Sequence, residues 1–339
     1  MNDFLTNFRQ RLLSDRKLSQ LVVIAVAIFA LFSITAKDIF FTGSNFTSMA
    51  YQIPEVAILS MAVMLSMLTG GIDLSIVAVS NAAALITAHL LQHHDFKSGM
   101  NAYVFIVLAS FAGILVGLIC GAVNALLIAF LEVTPILATL ATLTLFNGIA
   151  IGATDGQSIS GMPDQFLRLG NGTFFGVPTP FVVMIIVALV MGVVVNRTGL
   201  GLKTMLIGTN RTAARYSVVG DRRVIAITYL VSALLSSIAG LVIASRSSAA
   251  SPDFGSSYIL LAIVIVVLGG VNPSGGFGTV TGVVLATTVV QFVSSGFNAL
   301  RFNQFFYLIS QGGVLIAVMI LNVVVERRTA ARARNRASA

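Results

Sequence analysis

The three histidines of this chain lie close together and could in principle bind a metal ion. His89 and His93 are four residues apart, which places both imidazoles on one face of a helix, and His94 follows directly. Asp95 comes next, but no cysteine or downstream ligand accompanies them, so a cluster at the membrane interface is the favoured interpretation over a metal site. The sequence also has no Ser-His-Asp arrangement and no paired carboxylates. It therefore predicts a conduit rather than an enzyme.

A glycine-rich stretch at 199–204 could suggest a phosphate-binding loop. It reads Gly-Leu-Gly-Leu-Lys-Thr, which lacks the Gly-x-x-x-x-Gly-Lys order, and no buried strand precedes it. We therefore expect no nucleotide site and no cofactor in this chain. Any ATP and Mg²⁺ that power its work would be bound by a separate partner subunit.

Three carboxyl groups lie within or beside long apolar runs, where a charge at a helix centre costs about 2.5–3.5 kcal/mol. They are Glu55, Asp73 and Glu132. Each is close to a proline or a glycine pair, which favours placement at interfaces or turns, and a contact with substrate or an ion is the alternative. No chain of acidic and basic residues suits a proton-coupled carrier.

The segment from Arg197 to Arg223, here called the basic segment, interrupts the apolar pattern. It holds six Lys or Arg residues, and Asp221 is its one acid. Asn210 or Thr212 could cap a short helix. In that helix Ala213 and Ala214 would form a small-residue face beside a protruding Arg215. Such a helix could be a lever that a soluble motor grips, or the segment could be an ordinary loop made basic by topology.

The elements that position these residues are membrane spans. The chain of 339 residues is 57% hydrophobic and 9% charged, with a mean hydropathy of +0.96, and its apolar runs match the length that a bilayer requires. We predict an all-α polytopic membrane protein without nucleic-acid binding. The ten predicted spans are 20–36, 51–69, 74–92, 103–131, 134–154, 179–196, 224–244, 258–271, 279–297 and 306–325.

Charge distribution predicts the orientation. An even number of spans puts both termini on one side, and fifteen of the 20 basic residues then lie in segments on that side. The positive-inside rule makes that side cytoplasmic. The predicted domains are a cytoplasmic segment 1–19, a single transmembrane domain 20–325 with its cytoplasmic loop 197–223, and a basic cytoplasmic tail 326–339 that touches lipid headgroups. The apolar run near the N-terminus is expected to be a retained span rather than a signal peptide, and the single Cys120 excludes an internal disulfide.

Small residues within the spans predict close helix packing, and polar residues there are candidates for lining a substrate path. Glycines four apart predict close helix packing; they are Gly113, Gly117 and Gly121, Gly148 and Gly152, and Gly278 and Gly282. Gly70 and Gly71, and Gly269 and Gly270, could break helices within the membrane. The polar candidates for lining a substrate path are Asn81, Asn124, Asn147, Gln291 and Asn298, which could instead bond to neighbouring helices.

Several motifs together resemble the permease subunits of bacterial ribose-type sugar ABC importers, in the family order from about residue 45 to 325. The motifs are Thr69–Ser75, Asn124–Ala153, Asp155–Gly161, Ile207–Arg215, Val267–Gly270 and Ser274–Gly278. The resemblance implies an all-helical inner-membrane permease that pairs with a second copy or a paralogue. It implies ABC ATPase subunits at the cytoplasmic loops and a periplasmic sugar-binding protein outside. Within the basic segment it implies that residues 208–217 couple to the ATPase, with Gly208, Asn210, Ala213, Ala214, Arg215 and Ser217 as the contact residues.

Three departures from the family pattern bear on the substrate and on the pairing of permeases. Ser75 is followed by Ile-Val rather than Val-Gly, Ser217 by Val-Val rather than Gly-Ile, and the stretch from Tyr258 lacks the usual acid. The sequence thus predicts an importer permease for a monosaccharide, polyol or related small carbohydrate, working by alternating access. A self-sufficient carrier or channel for a small polar solute is the alternative.

Overall fold

The computed structural model describes residues 16–92, 100–216, 220–303, 305–306, 309 and 312–313. Its helices are α1 Arg16–Thr35, α2 Lys37–Phe40, α3 Gly43–Leu68, α4 Ile76–Gln92, α5 Met100–Ala125, α6 Pro135–Thr154, α7 Asp164–Asn171, α8 Thr179–Arg197, α9 Gly199–Thr209, α10 Arg211–Tyr216, α11 Asp221–Ser247, α12 Tyr258–Leu268 and α13 Val280–Ala299. A π-helical turn, Leu126–Phe130, extends α5.

The helices confirm the prediction of a polytopic, predominantly α-helical membrane protein. Seven of the helices described are long and apolar enough to cross a membrane, and the apolar helices α4 and α12 are shorter. These nine coincide with the first nine predicted spans, and the predicted span 306–325 falls almost entirely outside the described residues. The total of ten spans and the orientation of the termini therefore remain predictions.

Helices α3 and α11 form the centre of the bundle. Nearly all of α3 from Ile53 to Leu68 is buried, and α11 packs against α3, α4 and α5. The peripheral helices α1, α5, α6 and α8 expose many large aliphatic side chains, as expected for surfaces that face lipid. The residues able to do chemistry lie on or beside the two central helices.

Both glycine pairs break helices within the bundle, a possibility that the sequence left open. Helix α3 ends at Leu68 and α4 begins at Ile76, while α12 ends at Leu268 and α13 begins at Val280. Gly70 and Gly270 have φ of +80° and +85°, a backbone region that residues with a Cβ rarely adopt. Their neighbours are fixed by close contact: a Cβ on Gly71 would meet Tyr229 and Pro135, and one on Gly269 would meet the backbone of Gly282.

The predicted packing of the glycines on α5 is confirmed. A Cβ at Gly113, Gly117 or Gly121 would collide with atoms of α4 or α11, so these glycines allow three helices to approach closely. The prediction is not met at Gly148 and Gly152 on α6, where no atom of the described chain lies within 4 Å of an added Cβ. The spacing alone cannot tell a packed glycine face from an open one.

The loop at 155–180 contains the short helix α7. Its strands also take part in two strand pairs that the sequence did not predict. β1 (Ile159–Ser160) pairs with β4 (Ala249–Ala250) after α11, and β2 (Thr173–Phe174) pairs with β3 (Val177–Pro178) in a hairpin. Each strand has two residues, too few for the alternating pattern that reveals a strand in sequence.

Candidate functional site

The middle of the basic segment folds into two consecutive helices, α9 and α10, rather than one lever. They meet at Asn210, whose extended backbone (φ −159°, ψ 99°) ends α9. Its side-chain oxygen accepts a hydrogen bond from the Ala213 amide at 2.9 Å, so Asn210 is the N-cap of α10. The predicted capped helix is present, and of the two candidates it is Asn210 that caps it.

The two alanines of α10 have different surroundings, so they do not form the shared outward face that was predicted. Ala213 is exposed, but Ala214 is 5% exposed and packs in a cluster with Ile207 and Tyr229. The exposed apolar group of α10 is instead Tyr216, with 86% of its surface accessible. Sequence reasoning missed Tyr216, although an aromatic residue in a basic loop is a known signal for protein contact. Ser217 lies outside the described residues.

The sequence predicts that Arg215 protrudes from its helix. In the structure, its side chain instead joins α10 to two other elements. Its guanidinium donates to Asp221 at 2.8 Å, on the first turn of α11, and to Glu132 at 2.9 Å, just beyond the π-helical turn. Arg211 also reaches Asp221 and Arg222 reaches Glu132. Hydrogen bonds from Arg215 and then Arg222 hold the pKa of the exposed Glu132 carboxyl below its ordinary value. The cluster fixes α10 against the ends of two spans.

Gly208 lies where the basic segment meets both helix breaks. A Cβ there would collide with the Leu68 carbonyl and the Gly276 amide, and these two groups hydrogen-bond to each other at 3.1 Å. Gly275 in turn lies against Gly70 and Gly208. We call this meeting of α9 with the loops 69–75 and 269–279 the glycine junction. The sequence singled out Gly70 and Gly208 separately but gave no sign that both lie against Gly275.

A buried polar network surrounds the first helix break. The Asp73 carboxyl accepts hydrogen bonds from the amide and hydroxyl of Ser75 and, at 3.0 Å, from Ser232 on α11. Asn124 donates to Ser75 at 2.7 Å and accepts from Thr142 at 2.7 Å. The network thereby connects the break to α5, α6 and α11. Placement of Asp73 at a turn, as the sequence predicted, is confirmed.

The predicted path residues occupy different settings. Asn124 bonds to Thr142 on α6 in the network just described, which corresponds to the alternative of bonding to a neighbouring helix. Asn81 instead donates to the carbonyls of Pro252 and Phe254 in the loop before α12. Gln291 on α13 donates to Gln52 at 3.2 Å. Of the remaining two, Asn147 has a buried side-chain oxygen without a partner in the described part of the chain, and Asn298 is exposed. A shared path through all five remains a prediction.

Glu55 lies inside α3 rather than at a turn, beside the end of α11 that packs against α7. Its carboxylate is 1% exposed and forms a bidentate pair with Arg246 near the end of α11, the longer contact being 3.0 Å. Arg246 supplies the countercharge that makes a buried carboxylate tolerable. The sequence did not reveal this pair because 191 residues separate its members.

Of the three histidines, His89 is on α4 and the other two lie outside the described residues.

The chain matches a known transport family over most of its length. The family described as "Branched-chain amino acid transport system / permease component" matches residues 45–319. The chain belongs to this permease family. It is therefore a multi-span permease of the inner membrane, and the resemblance to ribose-type importer permeases is confirmed.

Curated relatives give the same assignment at moderate identity. The ribose import permease of Bacillus subtilis is 32% identical over 82% of this chain and 84% of its own length. The D-allose transport system permease of Escherichia coli is 28% identical over 90% of this chain and 91% of its own. The autoinducer 2 import system permease of Yersinia pseudotuberculosis is 32% identical over 89% of each chain. No solved structure matches this permease.

Proposed function

We propose that this permease is the membrane subunit of an ATP-driven importer for a monosaccharide, polyol or related small carbohydrate. The glycine junction is the observation that carries the proposal. A partner that moves α9 and α10 would also move both helix breaks, since Gly208 lies directly against Leu68 and Gly276. Relatives that import ribose, D-allose and autoinducer 2 support a small polyhydroxylated substrate.

The geometry supports alternating access. ABC ATPase subunits bind ATP and Mg²⁺ and press on α10, which transmits the movement through α9 to the two breaks. The Arg215 cluster keeps α10 attached to α11 and to the end of α5 during the movement. The breaks then change the tilt of α4 and α13 relative to α3. A periplasmic binding protein delivers the substrate, and a second permease copy or paralogue completes the path.

Co-purification with the candidate ATPase tests the assignment of the contact surface. Tyr216→Ala and Ala213→Glu should each weaken the complex at least tenfold, because both side chains are exposed on α10. A large aromatic side chain at the centre of an interface contributes at least about 2 kcal/mol. Ala214→Glu is unsuitable as a test, since it would place a charge in the core.

The matched control is Phe175→Ala, which removes an aromatic residue that is 93% exposed in the hairpin between β2 and β3. It should leave the ATPase complex unchanged. Unaltered binding by both α10 variants would contradict the proposed contact. Uptake into vesicles that lack any ATPase subunit would instead support a self-sufficient carrier.

A further inference from the structure

An open cleft of about 690 Å³ lies between α9 and the first turns of α11, at the end of the bundle that carries the basic segment. One part of its wall is basic and consists of Lys203, Arg222 and Arg223. Another part is aliphatic and consists of Leu200, Val224 and Ile227. The cleft is separate from the exposed face of α10 that we assign to the ATPase.

Within the described part of the chain, most of the positive charge in this cleft is not neutralised. Across the described residues, neither Lys203 nor Arg223 has an acidic partner, and Arg222 reaches only Glu132, at 3.4 Å. The one acidic residue in the wall, Asp221, already forms salt bridges with both Arg211 and Arg215. The cleft therefore favours an anion.

Further exposed aliphatic side chains lie on α9 outside the cleft, as expected for a helix surface that faces a membrane. Ile227 is 44% exposed, and the neighbouring Leu202 and Leu206 on α9 are 62% and 46% exposed. Helix α9 follows the membrane span α8 after a single residue. Exposed leucines beside lysine and arginine at the end of a span are the pattern of a helix that lies in the headgroup region. A ligand for this cleft needs an anionic group joined to an apolar chain.

We infer that the cleft binds the headgroup of an anionic phospholipid of the leaflet on that side, with an acyl chain along Leu200 and Ile227. Arginines suit phosphate because their guanidinium groups donate in a planar fork. The start of α11 adds to the attraction, because no side chain caps it at Gly220 and free amides at a helix N-terminus attract anions. Bound lipid bridges α9 and α11 and so sets the resting position of the basic segment.

Native mass spectrometry of the full-length permease with palmitoyl-oleoyl phosphatidylglycerol tests the inference. The double variant Lys203→Gln, Arg223→Gln should retain this lipid about 25-fold less well than the wild type, at roughly fivefold for each basic residue removed. The control double variant Arg168→Gln, Arg301→Gln removes two charges from exposed residues outside the cleft and outside the basic segment. It should retain the lipid within about twofold of the wild type.

Three results would overturn the inference. The first is equal retention of phosphatidylglycerol by the cleft variant and the wild type, and the second is equal retention of phosphatidylcholine by the wild type. In the third, millimolar inorganic phosphate displaces the lipid, which would show that the cleft takes a soluble phosphate. None of these measurements depends on ATPase binding or on the transported substrate, so the inference can fail while the proposed function stands.

Discussion

At the scale of single residues, Asp73 is the group on which the first helix break depends. It is 3% exposed, and every hydrogen bond that its carboxyl accepts comes from a serine. A carboxyl group buried without such donors would carry a large desolvation cost. Because Ser75 belongs to the break and Ser232 to α11, these bonds both satisfy Asp73 and fix the loop against the centre of the bundle.

Two substitutions of Asp73 distinguish the contribution of its hydrogen bonds from the contribution of its side-chain volume. Asp73→Ala removes three accepted bonds and leaves Ser232 with a buried, unpaired hydroxyl, so it should lower the free energy of unfolding by roughly 3 kcal/mol or more. Asp73→Asn keeps an acceptor for Ser75 and should cost less than half of that. Thermal unfolding of the purified permease in detergent measures both changes.

The exposed Asp253 provides the control for this comparison. Asp253→Ala should shift the unfolding midpoint by no more than a surface substitution does, within about 0.5 kcal/mol. If Asp73→Ala were equally mild, the network would contribute nothing to the stability of the break.

The sequence identified Asp73 and Asn124 as unusual polar residues, but it did not reveal their hydrogen-bond partners. A charge beside two glycines and an amide in an apolar run are visible in the sequence. Their partners Ser232 and Thr142 are ordinary hydroxyl residues, and the bond from Asp73 to Ser232 joins residues 159 apart. Only the packing of α11 against the break selects one serine among many. The same limit concealed Arg246 as the partner of Glu55.

At the scale of elements, the glycine junction joins three segments that the sequence treats separately. Glycine pairs marked both helix breaks as possible, because glycines disfavour helix and permit positive φ. Contact between the breaks depends on the tertiary arrangement of α3, α9 and α12. Gly208 is informative here because it lies within α9, where glycine is otherwise unfavourable relative to alanine by about 1 kcal/mol.

Gly208→Ala is therefore a steric test of the junction. Helix propensity predicts stabilisation, whereas the contact with Leu68 and Gly276 predicts overpacking, which typically costs about 1–3 kcal/mol. We expect the unfolding midpoint to fall. We also expect ATP-driven uptake of the sugar that the binding protein carries to drop at least tenfold, while the ATPase still co-purifies because α10 is untouched.

Gly199→Ala is the matched control, since Gly199 begins the same helix and a Cβ there has no atom within 4 Å. It should leave both the unfolding midpoint and uptake close to the wild type. Normal uptake by Gly208→Ala would contradict the role of the junction in transmission, even if the protein were less stable.

At the scale of the whole molecule, the two polar ends of the bundle have different structural features. One end has the basic segment, the Arg215 cluster and the lipid cleft. The other has α7, the β2–β3 hairpin and the Glu55–Arg246 pair. Hydropathy located nine of the helices because a bilayer demands long apolar runs, while the short strand pairs gave no signal. Which end faces the cytoplasm is predicted from the distribution of basic residues alone.

Cysteine labelling can decide the orientation, because the chain has one cysteine, Cys120, and it is buried. In a Cys120→Ser background, Phe175→Cys and Thr212→Cys place exposed thiols on either side of the single span α8. A membrane-impermeant maleimide should label position 175 only in spheroplasts and position 212 only in inside-out vesicles. Labelling at 212 from outside would invert the predicted topology, and with it the ATPase contact and the leaflet that supplies the lipid. Labelling of both positions from one side would mean that α8 does not cross the membrane.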